Sequence, residues 1–146
     1  MKLLKKSSVI FMLCLMTLSG TAIADDADGL FIELSSGDLF KVRRALQVGT
    51  MVKTMRKVPV TINISLGATR YVDSNFPIAK MAKLRGESVH DLMNKFLKAG
   101  GDIYVCPMCL AGNGIDEKDM INGIEMGSPQ KTLPLIMDDD VKLLSY

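Results

Sequence analysis

Gly100-Gly101-Asp102-Ile103-Tyr104-Val105-Cys106-Pro107-Met108-Cys109-Leu110-Ala111-Gly112-Asn113-Gly114 is the stretch whose reading decides the fold. Its two leading glycines end a helix. Ile103, Tyr104 and Val105 are β-formers and read as a short buried strand. That strand runs directly into Cys106-Pro107-Met108-Cys109. Pro107 suits the first position of a helix, where its missing N–H would have no partner anyway. Cys106 is thus expected at the carboxyl end of a strand and the amino end of a helix. In open α/β sheets that edge is where sites collect. A helix amino end also favours a thiolate, the reactive form of cysteine.

Upstream, Ser88 caps a helix, with Asp91 completing a capping-box pattern. Val89, Leu92, Met93, Phe96 and Leu97 form its apolar face. The single histidine, His90, falls in its first turn and reads as a surface residue, since a general base needs hydrogen-bond reach to the chemistry. The stretch from Ala68 to Lys80 reads as a loop, and Ile78 to Leu84 as a short helical piece. A long loop in a compact domain is commonly functional or mobile, and this one follows a strand. It could lie over the edge that carries Cys106, although an ordinary surface excursion is the simpler reading. Val60, Ile62, Ile64 and Leu66 alternate with Thr61, Asn63 and Ser65, the mark of a strand with two unlike faces. Such a strand has a second face that is partly covered, or covered by another subunit. Before it, Leu39 to Met55 is helical, capped by Asp38. Val42, Ala45, Leu46, Gly49, Val52 and Met55 share one face; Arg43, Gln47, Thr50 and Thr54 share the other. Leu30 to Leu34, opened by Gly29, is the first strand.

Downstream, Ile115 to Ile121 reads as a helix rich in Asp and Lys. Gly123, Gly127, Ser128 and Pro129 read as a turn, and Leu133 to Met137 as the start of a strand, with Pro134 arguing against a central position. Asp138-Asp139-Asp140 reads as a solvated turn, because consecutive carboxylates point in alternating directions and make a poor cage for a cation. Val141 to Tyr146 is the last strand. Strands alternating with helices imply a three-layer α/β domain with a mostly parallel sheet of about five strands, flavodoxin-like in its layering, and right-handed crossovers.

The first residues read as an address. Lys2, Lys5 and Lys6 form a positive segment, Val9 to Leu18 an apolar one too short to span a membrane, and Ala22-Ile23-Ala24 a small-residue cleavage site. Residues 1–24 are therefore expected to be a signal peptide cut after Ala24, and 25–146 a single domain that is periplasmic or secreted. Cys14 lies inside the apolar run rather than after it, which argues against a lipoprotein; an uncleaved anchor is the remaining alternative. Removing 24 residues from 146 leaves 122, an ordinary single domain. Lys plus Arg falls from 18 to 15 against 16 Asp plus Glu, so the basic balance belongs to the leader. Nothing in the remaining charge suggests nucleic acid or an anionic membrane surface. Of three cysteines only Cys106 and Cys109 remain, and in an exported protein they need not be reduced.

The CxxC admits several chemistries. Two thiols cannot close a four-ligand structural zinc site, although a soft ion such as Cu(I) suits two thiolates. A thioredoxin-type dithiol fits the local strand–CxxC–helix context but not the late position of the motif. A sulfur carrier needs one activated, reachable cysteine that attacks a sulfane sulfur and holds it as a persulfide; a second thiol nearby releases that sulfur or resolves it as a disulfide. A plain disulfide or buried thiol pair is the bland alternative, and so short a loop adds little stability. No resident cofactor or metal is expected.

Over nearly all of residues 25–146 the chain resembles the DsrE/DsrF-like family of small α/β sulfur-relay proteins. The resemblance runs from the opening Gly29 to Leu34 strand to the closing Val141 to Tyr146 strand. It is most specific at Val105-Cys106 followed by Gly114-Ile115-Asp116-Glu117, where Cys106 matches the family's sulfur-accepting cysteine. The resemblance implies persulfide carriage, sulfurtransferase-like relay between donor and acceptor proteins or small thiols, and self-association into trimers or hexamers. The chain departs from the family in its export signal and in its second thiol, Cys109, so both cysteines are candidate catalytic residues.

Overall fold

The computed structural model describes residues 27–78 and 86–146. The proposed leader and most of the Ile78 to Leu84 segment lie outside the described residues. Five strands form one sheet in the order β4-β3-β2-β1-β5. They are β1 Gly29–Leu34, β2 Val60–Ile64, β3 Asp102–Val105, β4 Glu125–Met126 and β5 Val141–Ser145. Every pairing is parallel, so all five carboxyl ends lie on one edge.

Helices α1 (Leu39–Arg56) and α2 (Val89–Lys98) pack on one face. Their apolar stripes meet Leu30, Ile32, Leu34, Ile62, Ile64, Ile103 and Val105, the inward half of each alternating strand. The chain enters α1 through Asp38, whose Oδ1 accepts the Lys41 N–H at 2.9 Å, and α2 through the full Ser88–Asp91 capping box. Gly49 lets α1 approach the sheet: a Cβ there would stand 3.2 Å from both Ile62 Cδ1 and Phe96 Cε2. Arg43 departs from the expected exposed face of α1. It is buried, and its Nη1 donates to the Glu87 carbonyl ahead of α2, so a backbone acceptor in the helix–helix seam outweighs the helical wheel.

The other face carries Phe31, Glu33, Thr61, Asn63 and Tyr104, in register across β1, β2 and β3. Two short helices follow β3: α3 (Pro107–Gly112) and α4 (Pro129–Ile136). The Lys131 ammonium of α4 sits 4.9 Å from the Tyr104 ring centroid and bonds Glu125 at 2.7 Å, so α4 lies over this face and makes the third layer.

Three local expectations are corrected. Leu133 to Met137 belongs to α4 rather than to a strand. Ser128 and Pro129 start the helix, and Pro134 stands inside it, with the Met137 N–H still reaching the Leu133 carbonyl at 3.0 Å. The fifth strand is instead Glu125–Met126, paired with Tyr104 and Val105. Ile115 to Ile121 forms only a 3-10 turn at Glu117–Asp119. Met120 bridges Asp73, and the Ile121 N–H donates to the Val72 carbonyl at 2.9 Å, so extended pairing takes the backbone groups a helix would use. Finally, the expected loop after β2 begins with a 3-10 helix, Leu66–Val72, whose Ala68, Thr69, Tyr71 and Val72 are buried.

Candidate functional site

Cys106 follows β3 at the carboxyl edge. Its N–H continues the ladder to the Ile64 carbonyl at 2.9 Å. Pro107 then opens α3, and Cys106 is its N-cap, with Sγ accepting the Cys109 N–H at 3.3 Å. A cysteine thus occupies the cap position that usually goes to Ser, Thr, Asp or Asn. Both thiols are free and half-buried.

The two sulfurs open onto different surfaces. Cys106 lines a shallow depression of about 340 Å³ together with Asn63, Pro107, Gly127, Ser128 and Thr132. Asn63 is held from behind: its Nδ2 donates to Glu33 Oε2 at 2.6 Å, while the Ser65 hydroxyl donates to Oε1 of the same carboxylate. Gly127 stands where a side chain would collide. Its N–H donates to the Val105 carbonyl at 2.8 Å, and a Cβ would come within 3.1 Å of that oxygen. Cys109 lines a second depression of about 460 Å³ with Leu66, Gly67, Met108, Gly112 and Asn113.

The Leu66–Val72 helix serves Cys109. The Leu66 N–H donates to Cys109 Sγ at 3.3 Å from a left-handed backbone, φ +46°. For leucine that conformation costs about 1–2 kcal/mol, so the surrounding fold holds it there. Thr69 is fully buried, and its hydroxyl has no conventional hydrogen-bond partner among the described residues. It favours the charged form of the Cys109 sulfur. Burial pushes the Cys109 thiol above its ordinary range, and the adjacent Cys106 adds to the rise; Leu66 and Thr69 pull the other way.

The sequence-predicted pair is therefore brought together within one helical turn. His90 lines neither depression. The segment after β2 reaches Cys109 through Leu66, which the alternating pattern assigned to the strand but which follows its end at Ile64, and through Thr69 of the expected loop. Among the described residues no group of three His, Cys, Asp or Glu side chains could hold a metal ion.

This arrangement defines a class: an all-parallel, five-stranded α/β domain with a paired-thiol turn at the sheet's carboxyl edge. No protein-family model and no curated protein sequence matches the chain. Solved structures do. The YchN protein from E. coli superposes with a TM-score of 0.66 at 12% identity, over 82% of this chain and 98% of that one. BT1422 of Bacteroides thetaiotaomicron, a conserved protein of unknown function, gives 0.62 at 18% identity, over 82% and 95%. MTH1491 of Methanobacterium thermoautotrophicum, also of unknown function, gives 0.58 at 11%, over 81% and 98%. The chain shares the fold of these three structures.

Proposed function

We propose that this protein is a sulfur carrier that loads sulfane sulfur on Cys106. The observation that carries the reading is the position of Cys106: a reachable thiol capping a helix at the carboxyl edge of a DsrE-like sheet. The Cys106 thiolate attacks the outer sulfur of a donor persulfide. A new S–S bond forms at Cys106, the donor's S–S bond breaks, and the donor leaves as a thiolate. An acceptor thiol then takes the sulfur by the same exchange, so no net oxidation occurs. Donor and acceptor are proteins or small thiols.

A dithiol oxidoreductase using Cys106 and Cys109 is the second reading, favoured by the place of both thiols in the first turn of α3; a soft-metal site on the same thiols is the third. Mass spectrometry after exposure to inorganic polysulfide separates them. A gain of one sulfur atom that requires Cys106 supports the carrier. A loss of two hydrogens without gain supports the oxidoreductase, and a gain only after separate exposure to Cu(I) supports the metal site.

The same reading includes export. The charged, apolar and small-residue order of the first 24 residues supports cleavage after Ala24 and a periplasmic or secreted domain. Among the described residues no helix is long and apolar enough to cross a membrane. Amino-terminal sequencing is expected to begin at Asp25; an intact Met1 in a membrane fraction would point to an anchor.

A further inference from the structure

We infer that the sulfur is handed on inside the protein, from Cys106 to Cys109, before it leaves. This deepens the carrier reading and rests on it. The two thiols do not share one opening. Here Cys106 faces the depression with Asn63, Gly127 and Ser128, and Cys109 faces the one with Leu66, Gly67 and Met108. Both thiols belong to the first turn of α3, with Cys106 as its N-cap and Cys106 Sγ accepting the Cys109 N–H at 3.3 Å.

The step balances without an oxidant. Cys109 Sγ, as thiolate, attacks the outer sulfur of the Cys106 persulfide. The Cys109–sulfur bond forms, the Cys106–sulfur bond breaks, and Cys106 leaves as a thiolate. One proton is released from the Cys109 thiol and one is recovered at Cys106, and the persulfide proton travels with the outer sulfur. The Cys109 N–H, already 3.3 Å from Cys106 Sγ, receives the charge that develops there.

Burial and Cys106 hold Cys109 as a thiol at rest, yet its sulfur also meets groups that favour the charged form. Leu66 holds a costly left-handed backbone and directs its N–H at Cys109 Sγ. Thr69 buries a hydroxyl that has no conventional partner among the described residues and favours the charged form of the same sulfur. A buried donor without a neutral acceptor is uncommon in native proteins, and a thiolate or persulfide anion at Cys109 satisfies it. Leu66 and Thr69 are positioning residues for the hand-over. Cys109, beside the exposed Met108 and Leu66 side chains, then presents the sulfur to the acceptor.

The test loads the domain briefly with inorganic polysulfide, blocks free thiols, and locates the added sulfur by peptide mass spectrometry. Most of it is expected on Cys109 in the natural protein, on Cys106 in Cys109→Ser, and on neither position in Cys106→Ser. Thr69→Val keeps the side-chain shape and removes the hydroxyl. It is expected to lower the share on Cys109 about tenfold, the size of losing one hydrogen bond to a charged group, with Thr69→Ser restoring it. Sulfur that stays on Cys106 in the natural protein overturns the hand-over and leaves the carrier reading standing. Release of hydrosulfide with a Cys106–Cys109 disulfide overturns the hand-over and the carrier together and supports the oxidoreductase. Failure of every variant to gain sulfur overturns both.

Discussion

At the scale of single residues, the two thiols differ by what surrounds them. Burial first, and then Cys106, push the Cys109 thiol up. Alkylation needs the thiolate, so Cys109 is expected to react slowly at neutral pH and to gain rate only above the ordinary thiol range. Cys106→Ser keeps an N-cap, because serine is a better cap than cysteine, yet it removes the neighbouring sulfur. The Cys109 profile should then move to lower pH while staying above that of a free thiol, since burial remains. In the natural protein Cys106 is expected to be the thiol labelled first, and Cys109→Ser should leave that labelling largely intact. Iodoacetamide rates across pH, resolved by peptide, measure all of this. A Cys109 that labels ahead of Cys106 would reverse the roles assigned here. Because the folded-state value is raised, deprotonating Cys109 weakens the fold. Its contribution is present below the unfolded thiol range and is lost as pH rises through the folded value.

At the scale of elements, the strand that delivers Cys106 depends on a close approach just before it. Gly101 is buried against Phe96, and a Cβ there would fall within the aromatic ring's own envelope. The ring is fully buried in the α1–α2–sheet core and has nowhere to turn. Gly101→Ala is expected to destabilise the domain by about 1–3 kcal/mol through overpacking, read as a lowered urea midpoint with unchanged slope. Gly112→Ala, where the added Cβ meets nothing within 4 Å, is the matched control and should change the midpoint little. The elements that the amino-acid pattern revealed were those with long periodicity or explicit caps: α1 with Asp38, α2 with its Ser88–Asp91 box, and β1 and β2. The ones it missed are short and fixed by tertiary pairing. Two residues of β4 carry no period, and Asp73 pairing with Met120 displaces the helix expected over Ile115 to Ile121. The site divides the same way. Cys106 and Pro107 announce a strand-to-helix turn, whereas the Leu66 N–H that reaches Cys109 is a backbone group, which no residue type signals.

At the scale of the whole molecule, the two faces of the sheet are unequally covered. Helices of 18 and 10 residues pack one face, and the 8 residues of α4 lie over the other. Leu133, Met137 and Leu143 remain 53%, 77% and 53% exposed. Leu143 stands in register with the buried Phe31, on the face where α4 lies. Exposed apolar side chains gathered on one side mark an interaction surface, and a second copy of the chain is the occupant that the family resemblance implies. Half-buried Asn63 on the same face fits a strand covered in part by another subunit. We therefore predict a homo-oligomer, a trimer or hexamer, in sedimentation equilibrium of the 25–146 domain. Leu133→Glu combined with Met137→Glu places two carboxylates where apolar contact is expected, and should yield monomers with an unchanged far-ultraviolet spectrum. Leu133 also lines the depression beside Cys106, so dissociation should raise the rate of Cys106 alkylation by small reagents and leave Cys109, which lines the other depression, unaffected. A natural domain that sediments as a monomer, with the double variant indistinguishable from it in both mass and labelling, would mean that this face has no partner copy.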